Sequence, residues 1–426
     1  KSIVALMFSA DTTTRWPSWL RILVTSRDDP KVLAQLKNCK RVDLTIEGNP
    51  ERNMADLKNY VEGRILHEMV QPSGKLALDA LAIARALGWS DVSPMGEYVD
   101  AICARSDGMF LYAKLVTDEL EAGGGLPVSV AALTEVLPSG LDGLYDDRFK
   151  KQFPEDDDDR MELYDEQILP ALRVVAASHA AVPRALLMEA TGMTALGARK
   201  QDKVLKEITT FCRPRGVATG GGSGDEYAFV HQSFTDWITD EAKSGYYFAA
   251  VKEGHVLLAG RAFEDCDGAN TDGDSAAYLV KHGLRHLVAA GRRGDAARVF
   301  CDVRWLMARC EMLPPHETVA EGEWLVRELK AAGGDGDGGA SAVKLVTRCL
   351  EQSLGAVVND HRQLPSQIVG RLADWDYATM PLVEKLVAGA RGWSFGEGVR
   401  WWCPATRCLA WPGGALRKNL RGAVVR

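Results

Sequence analysis

No run of about 18 apolar residues occurs anywhere in the sequence, which removes a membrane-spanning helix from consideration. Positive charge is not in excess either. Across 426 residues, 51 Lys and Arg stand against 58 Asp and Glu, a formal charge of −7. That balance argues against nucleic acid or an anionic membrane as a partner. Cysteine forms no framework: nine residues are scattered along the chain, an odd number. This pattern excludes a disulfide scaffold and fits reduced thiols in the cytoplasm. No Gly-x-x-x-x-Gly-Lys-Ser/Thr loop is present, because Gly74 and Lys75 are followed by Leu76 and position 69 is Met. No apolar strand ends in paired acids for magnesium, no fixed-period repeat emerges, and no Ser/His/Asp or Cys/His grouping stands out. No catalytic residue is therefore assigned.

What is present reads as soluble globular protein, 46% hydrophobic and 26% charged. The length suits two to four domains at roughly 100–200 residues each. The start is apolar over 3–8 without an initiating Met, which reads as a truncation rather than a signal peptide. Residues 1–46 read as the end of an α/β layer. Ile22, Leu23 and Val24 suit a strand buried on both faces, and Thr25, Ser26 and Arg27 follow at its carboxyl end, where open parallel sheets hold ligands. Residues 47–155 read as a helical domain, with Met54, Leu57, Val61 and Ile65 at helical spacing. The acidic run 155–159 reads as a solvated loop.

In 156–245 three helical stretches precede a hairpin signal. Its arms at 211–217 and 227–230 flank Gly220-Gly-Gly-Ser-Gly224, and a helix follows at 233–239. Three helices plus a wing is a winged-helix arrangement. Residues 246–400 read as helix pairs stacked into a superhelical stalk, and 401–426 as a linker. The fold class expected is mainly α, with an incomplete α/β remnant at the start.

Several segments, in this order, resemble NACHT proteins, a branch of the STAND regulatory ATPases. Trp19-Leu-Arg-Ile-Leu-Val-Thr-Ser-Arg27 resembles their sensor strand, and Asn53-Met-Ala-Asp-Leu-Lys-Asn-Tyr-Val-Glu62 the entry to their first helical domain. Ser106-Asp-Gly-Met-Phe-Leu-Tyr-Ala-Lys-Leu-Val116 and Leu137-Pro-Ser-Gly-Leu-Asp-Gly-Leu-Tyr145 are similar to later parts of that domain. Phe229-Val-His-Gln-Ser-Phe-Thr-Asp-Trp-Ile238 resembles the close of the winged helix. Gln363-Leu-Pro-Ser-Gln-Ile-Val-Gly-Arg-Leu372 and Pro412-Gly-Gly-Ala-Leu-Arg-Lys-Asn-Leu-Arg-Gly422 look like a bridge toward a WD-repeat propeller, although Gly422 precedes Ala423 where the propeller has His.

The resemblance implies a nucleotide-controlled signalling switch whose phosphate loop and magnesium acids lie upstream. ATP or ADP with Mg would belong to the parent protein, and this fragment would have no cofactor and no ATPase activity. It further implies that Arg27, with Thr25 and Ser26, senses the terminal phosphate. His231 would contact the diphosphate of ADP, and Gly108 and Phe110 would lie near the adenine. Partners would be other domains of the same parent, a homo-oligomer on activation, and proteins met by the stalk or propeller, with neither nucleic acid nor membrane. A non-enzymatic helical scaffold and a DNA-binding AAA-type ATPase fragment are the alternatives. Residues 161–245 carry nine Lys or Arg against eleven Asp or Glu, which disfavours the second.

Four other patterns read as decoys. Gly334-Asp-Gly336-Asp-Gly-Gly339 lacks a preceding strand, and 265–274 has its Gly and Glu misplaced for a calcium loop. His282 and His286 share a helix face, but Gly283 stands where a metalloprotease has Glu. Cys403 and Cys408 lack a second pair. No metal site is expected.

Overall fold

The computed structural model describes residue 19 and residues 51–65, 93–123, 126–127, 129–216, 225–267, 273–331, 338–374, 377, 380–396 and 399–412. Thr25, Ser26 and Arg27, the strand expected near them and the tail beyond 412 lie outside these residues. The chain divides into two compact units, 1–140 and 141–426. The described residues are mainly helical. None of their helices is long and apolar enough to cross a membrane.

The first unit contains α1 (Glu51–Arg64), α2 (Ser93–Arg105), α3 (Phe110–Ala122) and α4 (Val130–Val136). The helical spacing seen in the sequence has its counterpart in the core: Leu57, Val61 and Ile65 are all buried. Two tyrosines tie loops to helices, Tyr98 donating to the Pro127 carbonyl at 2.7 Å and Tyr112 to that of Pro138 at 2.5 Å. Between α2 and α3 the chain reverses through Asp107 and Gly108, both with positive φ (50° and 73°). A glycine takes that conformation without strain, and Asp tolerates it better than most residues.

The second unit opens with α5 (Gly140–Gln152), α6 (Asp158–Leu163), a π-helical turn (Tyr164–Ile168) and α7 (Leu169–Ala177). The acidic run is less idle than a loop. Asp157 accepts from the Arg160 N–H and caps α6, and Asp158 and Asp159 fill the first turn, where negative charge meets the positive end of the helix. There follow β1 (Val182–Pro183), α8 (Arg184–Ala190), α9 (Ala198–Ile208), β2 (Cys212–Gly216), β3 (Asp225–Phe229) and α10 (Gln232–Ile238). The three strands pair antiparallel in the order β1-β3-β2, with Val182 opposite Tyr227 and Cys212 opposite Phe229. Pro183 cannot donate to a ladder and sits on the edge strand, where that matters least.

An aromatic core holds this part together. Phe149 of α5 stacks on Phe211 at 4.3 Å between centroids and meets Trp237 of α10 at 5.2 Å. Tyr164 and Tyr247 are buried with their hydroxyls satisfied, on the Tyr247 and Phe153 carbonyls, each at 2.8 Å. Each aromatic pair is worth about 0.5–1.5 kcal/mol beyond its buried area.

Further helices follow: α11 (Glu241–Ser244), α12 (Val251–Asp267), α13 (Asp274–Ala289), α14 (Arg293–Phe300), α15 (Val303–Met312), α16 (Pro315–Ala331), α17 (Gly339–Val357), α18 (Leu364–Leu372) and α19 (Pro381–Arg391), and the described residues beyond Arg391 are not helical. Two close approaches depend on glycine. A Cβ on Gly254 of α12 would lie 2.5 Å from the Arg173 carbonyl carbon and 2.8 Å from the Ala177 Cβ, both on α7. One on Gly322 of α16 would lie 2.5 Å from the Phe300 ring. A buried ion pair joins α13, α15 and α16. The Arg309 guanidinium donates to the Val280 carbonyl at 2.7 Å and lies 3.5 Å from Glu321, which Arg285 also meets at 3.2 Å.

Candidate functional site

Two places in the second unit gather chemistry-bearing side chains. The first is the junction where β3 runs into α10. His231 is the N-cap of α10, and its exposed imidazole turns back so that Nδ1 accepts from the Ser233 backbone N–H at 3.1 Å. Ser233 Oγ lies 2.7 Å from the same Nδ1, and the Tyr145 hydroxyl lies 2.9 Å from Ser233 Oγ. A backbone N–H can only donate, so Nδ1 must present its lone pair. The neutral ring therefore carries its proton on Nε2. The hydrogen bonds then run one way, from Tyr145 to Ser233 to His231, and polarise one another. Burial pushes the Tyr145 phenol above its ordinary range, opposed by its bond to Ser233.

A serine beside a histidine invites a nucleophilic reading. Here Ser233 Oγ sits between Tyr145 and a capping imidazole that also holds the Ser233 N–H, an arrangement that fixes a helix start. What the junction offers chemically is an Nε2–H donor on an exposed side chain.

In the first unit, Gly108 sits in the turn before α3. Its N–H donates to Ser106 Oγ at 3.2 Å and its carbonyl accepts from Asn53 at 3.0 Å. Phe110, two residues on, is 39% exposed with its ring 5.7 Å from that of Tyr60.

The second place was not legible as a site in the sequence. His179 lies on the connection from α7 to β1, His255 on α12, and His282 and His286 on α13. His255 Nδ1 and His286 Nδ1 are 2.8 Å apart, and His286 Nε2 is 3.2 Å from the Tyr278 hydroxyl. That hydroxyl also accepts from the His179 backbone N–H at 3.2 Å. The His179 ring stacks on that of His286 with centroids 4.9 Å apart and lies 5.9 Å from that of His282. One nitrogen each from His179, His255 and His286 come within 4.8 Å of one another. His286 is fully buried, His255 half-buried and His179 exposed, so the group opens to solvent on one side.

Crowding keeps these rings neutral. Burial, then the neighbouring His179, His255 and His282, pull the His286 imidazolium down to about 2. Burial, His179, Arg285, Lys281 and Arg309 pull His282 down to about 4. His179 and His255 are lowered too, chiefly by burial, with Glu321 partly restoring His179. Neutral imidazole is the form with a lone pair for a metal.

No family model matches the chain, and no solved structure matches it.

Proposed function

We propose that the chain is a regulatory and interaction segment of a nucleotide-controlled signalling switch, acting with a phosphate-cradling core that this sequence does not itself contain. The observation that carries the reading is His231. Its side chain is exposed, its Nδ1 is committed to Ser233, which leaves Nε2 to carry the ring's proton, and it sits at the junction that closes a helix–strand–helix–helix–hairpin unit. The order β1-β3-β2 supports taking that unit as a winged helix. An exposed imidazole N–H of fixed tautomer can donate to an oxygen of the ADP diphosphate and hold a closed state. Exchange for ATP would release it.

The test has two arms. Calorimetry of this chain with MgATP should show no tight binding and no hydrolysis, because the Gly-rich loop and its Lys are missing. In a chain extended to include an intact phosphate loop, His231→Ala should speed ADP release. Unchanged ADP dissociation in that nucleotide-competent protein would leave the histidine as a helix cap only.

A second reading is favoured by one observation. The exposed face of α9 carries Arg199, Lys200, Lys203 and Lys206, while Glu207 is bound by Arg160 at 3.0 Å. Such a face suits a phosphate backbone. Salt-dependent binding of duplex DNA, lost on replacing these cations, would select it over the switch.

A further inference from the structure

Four of the chain's eight histidines, drawn from three separate segments, converge between α7, α12 and α13, and the nucleotide reading uses none of them. We propose that His179, His255 and His286 bind one divalent ion of the zinc class through three imidazole nitrogens. The placement is that of a site assembled by the fold. Each ligand comes from a different segment, and their nitrogens already lie within 4.8 Å of one another. A zinc ion at about 2.0–2.1 Å from each nitrogen holds tetrahedral neighbours about 3.3 Å apart. The His255–His286 pair, at 2.8 Å, stands just inside that spacing, and no two of the three ligand nitrogens need be more than 4.8 Å apart. Rotation of His179, exposed on its connection, closes the difference.

The surroundings are those a ligand set needs. Tyr278 fixes the His286 ring from behind through Nε2, so that Nδ1 faces His255, and the same hydroxyl takes the His179 N–H. One phenol thus orients two of the three ligand residues, the role that an outer-shell partner plays at a metal. The close donors are all nitrogen, which disfavours calcium and magnesium and suits zinc, copper or nickel. His282 lines the group one turn before His286. The exposed His179 leaves a way in and an open coordination position for water.

The test is a titration of the tag-free, chelator-stripped full chain with Zn2+ against a competing chromophoric chelator, paired with Co2+ electronic spectra. One ion per chain is expected, with four-coordinate d–d bands and no thiolate charge-transfer band. His179→Ala and His255→Ala should each weaken Zn2+ at least tenfold, and Tyr278→Phe about tenfold. His179 is exposed, so that variant keeps its fold and remains informative if substitution at buried His286 does not. Cys403→Ser with Cys408→Ser should change nothing. The proposal is overturned by absence of stoichiometric binding, by affinity indifferent to both histidine variants, or by affinity lost with the two cysteines.

Discussion

Gly254→Ala puts the packing of α12 on α7 to a quantitative test. The new Cβ would lie 2.5 Å from the Arg173 carbonyl carbon and 2.8 Å from the Ala177 Cβ. Ordinary carbon contacts are about 3.5–4.0 Å, so the helices must part by about 1 Å, and a gap of that size forfeits up to about half of each dispersion contact along the seam. The obstacle is backbone, which cannot rotate aside, and overpacking of this kind costs about 3 kcal/mol. The gain in helix propensity from Gly to Ala returns about 1 kcal/mol.

The net loss of about 2 kcal/mol should accelerate exchange of the α7 and α12 amides about 30-fold, read by hydrogen-exchange mass spectrometry. Gly260 lies on the same helix with nothing near its would-be Cβ. Gly260→Ala should therefore slow exchange, since only the propensity gain of about 0.5–1 kcal/mol remains. Equal protection in the two variants, or a Gly254→Ala protein as protected as the parent, would refute the packing described.

Two further outcomes are expected. In the metal-stripped chain, stability should fall as pH drops below about 6.5: unfolded histidines then take up protons that His286, held near 2, and His282, held near 4, refuse. The slope approaches about 1.4 kcal/mol per pH unit for each ring, or about 2 kcal/mol per ring by pH 5. A urea midpoint equal at pH 7.5 and pH 5 would contradict it. Glu321→Ala should destabilise by about 3–5 kcal/mol, because Arg309, 4% exposed, would keep its charge without its counter-ion. A urea midpoint within error of the parent would show the pair to be dispensable.

What the sequence disclosed follows the range over which each signal acts. The Gly-rich stretch 220–224 announced the hairpin; β2 falls inside the first arm read for it, while β3 begins at Asp225, two residues ahead of the second arm. His231 was read at the meeting of strand and helix, and it is the cap of α10. β1 escaped because two residues cannot show alternation. The π turn at Tyr164–Ile168 is set by the aromatic core that receives Tyr164, which no local pattern reports. The histidine group was half visible. His282 and His286 share a face with Tyr278, but judging them against a sequence motif did not join them to His179 and His255, a convergence that only tertiary packing delivers. The available signal was Gly254 beside His255, a helix position stripped of its side chain for close approach.

The place of His179 has a mechanical consequence. Only Ala180 and Ala181 separate it from Val182, the residue of β1 paired with Tyr227. Three residue steps of fully extended chain span about 10 Å, which is the whole of the slack. A larger excursion of His179 must therefore peel Val182 from the sheet, and a sheet that loses β1 must release the chain toward α7. The histidines and the sheet edge behave as two ends of one short tether, so a force on either is felt at the other.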